Sequence, residues 1–286
     1  MDSEQLEKKS HELKREHDEY LRLLRAVSLF HPQIAGMLGR ARQNRIDHLS
    51  QMKSKDRLAG LEELIKYLYK CQSAMEGNDS LNRIAFLVNR AIHDYAIAIE
   101  ESLSGMRSVA NDSMRDVMEI QYLLNDFRHE SDHIELWLNA RTRKERQPFE
   151  PGALRQREAT RQGLNDPTKL PTASDYKGHS QAPHVNPMRS AITQKGILPP
   201  NRLSDIAYWE MYFHGTDLVE ALLFLLEEHG VIDETSNPDV SLPIFKKMLH
   251  ELRETEAEFW QEVLDGNTTD EPTGETAEAS EESKAV

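Results

Sequence analysis

From Leu61 to Phe127, and again from Ile206 to Trp260, apolar residues recur at intervals of three and four, and no stretch alternates apolar with polar. That period lines such residues along one face of an α-helix, whereas a half-buried strand needs a period of two. The chain can bury these side chains only by packing helix on helix, so the expected fold class is all-α, a helical bundle. No apolar run reaches the roughly 18–20 residues that cross a bilayer. Cys71 is the only cysteine, which excludes an intrachain disulfide and a thiolate zinc site. The first residues lack the basic and apolar stretches of a signal peptide, so the cytoplasm is the expected address.

The pattern predicts helices at 3–31, 33–50, 56–76, 81–103, 114–127, 131–145, 204–229 and 241–264. In the first, Leu6, Leu13, Tyr20 and Val27 stand seven apart, a thin coiled-coil seam that Pro32 ends. Gly77-Asn78-Asp79 and Asn111-Asp112-Ser113 read as breaks, Ser80 and Ser204 as N-caps, and Gly230 as a C-terminal stop. Between Met114 and Phe127 apolar residues cover nearly the whole circumference, which places that helix in the middle of a bundle. Eight of the twelve prolines fall in 147–201, where periodicity is lost apart from a short helix at 151–163. The expected organisation is N-terminal helices at 1–76, a bundle at 80–265 with 147–201 irregular, and a disordered acidic tail at 266–286.

Charge is distributed unevenly. Residues 1–140 carry a net −4, residues 141–202 a net +7 and residues 203–286 a net −17. A basic middle can hold phosphates, and an acidic end can compete for it. Arg115 and Glu119, four apart on the most apolar helix, share a face and need partners, either each other or a charged cleft. Glu130 and His133 have the Glu-x-x-His spacing of di-metal bundles, but the chain contains no second such pair. His179 and His184, five apart without neighbouring carboxylates, make a poor zinc site. Neither a metal nor a cofactor is expected.

The order of several segments points further. An apolar helix carrying Arg115 and Glu119 is followed by Trp137-Leu138. Then come Phe149-Glu-Pro-Gly-Ala-Leu-Arg155, Tyr176-Lys177, and His184-Val-Asn-Pro187. Over about residues 80–230 this resembles uncharacterised bacterial helical proteins of the HEPN-like superfamily, which includes ribonucleases and inactive relatives. The resemblance implies a bundle that forms a homodimer, with an Arg and a His meeting in one cleft. It also implies metal-independent cleavage, in which the 2′-hydroxyl of RNA attacks the adjacent phosphate, His moves a proton and Arg holds the phosphate oxygens. His184 is then the implied catalytic histidine, with Lys177 where an Arg is expected; Arg128 and His133 form the alternative pair. A lysine lacks the planar fork of arginine, so the departure implies weak catalysis or none.

The expected function is therefore RNA or protein binding by a HEPN-like protein, in bacterial stress or phage defence as the resemblance implies. RNA would lie along Arg141, Arg143, Lys144, Arg146, Arg155, Arg157 and Arg161, and a partner protein would bind the helix at 3–31. The alternatives are a metal-independent ribonuclease using His184 and a helical adaptor.

Overall fold

A computed structural model describes residues 3–54, 57–170, 172, 173, 176, 200–232, 243, 246, 247, 249–255 and 257, and the regular structure in them is helical throughout. The long helices are α1 (Ser3–Phe30), α2 (Pro32–Ser54), α3 (Arg57–Glu76), α4 (Ala85–Ser104) and α5 (Arg107–His129). After them come α6 (His133–Asn139), α7 (Arg143–Arg146), α8 (Pro151–Arg161) and α9 (Pro200–Glu228). Among the described residues no helix is long and apolar enough to cross a membrane.

As its all-round apolar pattern predicts, α5 lies at the centre, against α4, α8 and α9. Its Val117, Met118, Leu124 and Phe127 are buried with Val88 and Tyr95 of α4 and Leu218, Leu222 and Leu226 of α9. Leu61, Leu64, Leu68 and Cys71 of α3 join the same cluster, so one core spans the expected division between 1–76 and 80–265.

Several local expectations are corrected. The turn before α5 is made by Gly105, at φ +82°, and not by Asn111-Asp112-Ser113, which continues within α5. Gly105 N–H donates to Ser102 and Met106 N–H to Glu101, which satisfies the last carbonyls of α4. Asn78, not Ser80, holds the corner between α3 and α4, its side chain accepting from the N–H groups of Ser80 and Leu81 at 3.0 and 3.1 Å. The helix expected at 131–145 divides at residues 140–142, because Thr142 and Glu145 form a capping box that starts α7 anew. Within the segment expected to be irregular, α8 packs on α5, and two 3₁₀ turns, Gln147–Phe149 and Pro167–Lys169, pack on α8. Gly230 closes α9 at φ +63°, as its position predicts.

α1 lies against α2 along the half-buried Leu21, Leu24 and Val27. Arg42 of α2 stacks over Tyr20 at 5.6 Å and approaches the His17 ring at 3.0 Å. At the other end of the chain, Arg253 in helical residues 249–255 reaches Asp217 and Glu220 of α9.

Candidate functional site

The charged residues on and around α5 form three groups. The deepest centres on Asp126, which is only 1% exposed. One turn before the end of α5, its carboxylate faces α8, where Arg157 and Arg161 stand four apart on one side of the helix. Arg157 donates through Nε to Oδ1 at 2.8 Å and through Nη2 to Oδ2 at 2.7 Å, a two-pronged contact. Arg161 adds Nη2 to Oδ1 at 2.8 Å, and His133, opening α6, adds Nδ1 to Oδ2 at 2.8 Å. Burial pushes this carboxyl up, but the hydrogen bonds from Arg157, His133 and Arg161 outweigh it and bring the pKa down to about 2. Arg157 also donates to the Pro148 carbonyl, and the His133 ring meets Phe149 edge-on at 5.6 Å. Asp126 therefore ties α5, α6, α8 and the Gln147–Phe149 turn into one unit.

That arrangement separates the alternative catalytic pair. Two residues along α5 is roughly 200° around the helix. Arg128 accordingly turns to α9, its guanidinium 4.0 Å from the centre of the Phe224 ring, while His133 turns to Asp126. The structure does not bring Arg128 and His133 together.

The second group surrounds Arg115 and Glu119. These pair at 3.4 Å, and Arg115 also meets Asp112 at 3.1 Å and Asp116 at 3.7 Å. Asp116 takes Arg90 from α4, and Glu119 accepts the Tyr176 hydroxyl at 3.1 Å. Arg155 stacks over Tyr176 at 4.5 Å. Burial pushes the Glu119 carboxyl up, an effect that Tyr176 and Arg115 partly offset. A groove of about 130 Å³ lies alongside, its lining including Leu87, Ile120, Leu123 and Trp137 together with Arg90, Asp116 and Glu119. Organic ligands usually occupy pockets of roughly 300 Å³ or more. The expected charge pair is real, but it sits in an ion-pair ladder joining α4 to α5 beside a groove too small for such a ligand.

The third group is α7. Thr142 Oγ1 accepts from Glu145 N–H at 3.3 Å, and Glu145 Oε2 accepts from the N–H groups of Thr142 and Arg141 at 2.8 and 2.9 Å. Those backbone donors pull the Glu145 carboxyl down. The turn is thereby fixed with Arg141, Arg143, Lys144 and Arg146 all exposed, beside a depression of about 420 Å³ lined by Arg143, Lys144, Gln147 and Glu150.

No family model, curated protein or solved structure matches this chain.

Of the seven basic residues expected along RNA, the structure keeps four on the surface and turns three inward. Arg157 and Arg161 hold Asp126, while Arg155 donates to the Pro167 carbonyl at 3.4 Å and covers Tyr176. Lys177 and His184, like His179, lie outside the described residues. Among the described residues no three His, Cys, Asp or Glu groups gather as metal ligands. Asp126 went unpredicted, although an aspartate inside an apolar helix, followed by two arginines four apart on another, was its trace in the sequence.

Proposed function

We propose that this chain is a non-catalytic, HEPN-like helical binding protein that takes RNA by its sugar–phosphate backbone on the α7 turn. The observation that carries this reading is the surface at Arg141, Arg143, Lys144 and Arg146, four exposed cations within six residues on a turn pinned by its own capping box. Pinning matters because the backbone that carries these cations has little conformational freedom left to lose when they meet phosphates. Phosphate contacts supply most sequence-independent nucleic-acid affinity and make it fall with salt. The net charge of −14 opposes RNA only weakly at this turn, since the fields of exposed acidic residues farther than about 8 Å away are largely screened at physiological ionic strength. The reading as non-catalytic is supported by Lys177 standing where the resemblance implies an arginine, and by Arg128 and His133 facing apart. By that resemblance the setting is bacterial stress or phage defence.

Titrating labelled single-stranded RNA across a salt series tests the reading. The expected log–log slope loses about 0.7 for each phosphate contact removed, so Arg143→Ala with Lys144→Ala and Arg146→Ala should flatten it by roughly 2. RNA binding that is absent, or unchanged in the triple variant, refutes the assignment. The RNA should also emerge intact; cleavage that His184→Ala abolishes would establish the ribonuclease alternative instead.

A further inference from the structure

Two hollows share one stretch of chain. Gln147 and Glu150 line the depression beside α7, while Phe149 and Pro151 line the groove between α4, α5, α6 and α8. Successive Cα atoms are only ~3.8 Å apart, so residues 147–151 form a wall common to the cationic depression and the groove. At about 130 Å³ the groove cannot enclose a whole organic ligand, but a single flat heterocycle on a longer chain needs only a slot. Its walls suit one, with Trp137 and Phe149 half-buried there beside Leu87 and Leu123. Aromatic rings next to a cationic track are a general means of holding single-stranded nucleic acid, bases on the rings and phosphates on the cations.

The polar lining selects the base. Glu119 takes both of its contacts on Oε1, from Tyr176 at 3.1 Å and Arg115 at 3.4 Å, and among the described residues nothing donates a hydrogen bond to Oε2. The oxygens of Asp116 are both engaged, by Arg90 and by Arg115. Arg90 donates from Nη2 to Asp116, yet its side chain is 59% exposed and its Nη1 makes no hydrogen bond among the described residues. One acceptor and one donor therefore remain open along the lining. That pair matches the Watson–Crick edge of cytosine, whose 4-amino group donates and whose N3 and O2 accept. Uracil has the same shape but presents a carbonyl oxygen where cytosine carries its amine, which would set that oxygen against a carboxylate. Adenine offers a similar edge on a larger, two-ring body, which suits so small a groove less well.

We infer that the groove holds one cytosine of an RNA strand whose phosphates lie on α7, with Glu119 accepting from its 4-amino group and Arg90 donating to N3 or O2. The inference rests on the reading of α7 as a phosphate-binding turn and adds a sequence preference to it.

Binding of oligocytidylate and oligouridylate of equal length to the full chain at neutral pH tests it. The parent should prefer oligocytidylate by roughly tenfold. Because the two strands carry the same phosphates, that ratio should hold across a salt series while both affinities fall. Glu119→Gln keeps the shape of the side chain, and its amide can turn a donor towards the uracil carbonyl. The preference should then shrink to about twofold or less, with the salt slope unchanged. Equal affinities in the parent, or a preference that survives Glu119→Gln, overturn this inference and leave α7 standing. Binding of neither strand overturns the α7 reading and this inference with it.

Discussion

Asp126 shows how one side chain can serve as a joint. An ionised carboxylate out of water is costly unless every lone pair is answered, and here Arg157, Arg161 and His133 answer them. Asp126→Asn keeps the shape but leaves the two arginines without their counter-charge. It should destabilise the protein by roughly 3 kcal/mol in urea or thermal unfolding. The acid side of the stability curve carries a second expectation. Folding lowers this pKa from 3.8 to about 2, so the stability it contributes is complete above the unfolded value and is lost as the pH falls through the folded one. That loss amounts to about 2 kcal/mol, and the difference between parent and Asp126→Asn should shrink accordingly between those two pH values. Cys71 is the opposite case: on the core-facing side of α3, its thiol is pushed up to about 12 by burial. It should ignore a thiol-reactive dye in the native protein and react at once in denaturant, and prompt native labelling would contradict its placement in the core.

Between elements, α9 comes close to α3 and α4 at Gly215. A Cβ on Gly215 would stand 2.7 Å from the Tyr95 hydroxyl and 3.1 Å from Leu64 Cδ1. Tyr95 cannot swing aside, because it is fully buried and its hydroxyl donates to the Met211 carbonyl. In an exposed helix, alanine in place of glycine stabilises by about 1 kcal/mol through propensity. Here overpacking of roughly 1–3 kcal/mol opposes that gain, so Gly215→Ala should lower the thermal midpoint, and a raised midpoint would mean that α9 sits farther from α4. The helices themselves were legible because their apolar spacing is local. Their joints were less so: Asn-Asp-Ser reads as a break, yet Gly105 had already made the turn, and the three residues had no reason to make a second. The division of 131–145 into α6 and α7 followed from Thr142 and Glu145 three apart, a capping signal that a continuous apolar count passes over.

For the molecule as a whole, the distribution of charge sets the remaining expectation. Residues 266–286 carry six acidic side chains and one basic one, and lie outside the described residues. If they compete with RNA for α7, a chain ending at residue 265 should bind RNA roughly twofold to tenfold more tightly at low salt, with the difference vanishing at high salt. Equal affinities at low salt would exclude the competition while leaving the α7 assignment standing. The amino-acid order alone determined an all-α chain, a central position for the helix that became α5, and the stop at Gly230, since each depends on neighbours within one or two turns. Only the tertiary structure decided which basic residues remain outside. Arg157 and Arg161 look no different in sequence from Arg143 and Arg146, and it is the packing of α8 on α5 that brings a buried carboxylate within hydrogen-bond reach of the first two and leaves the others in water.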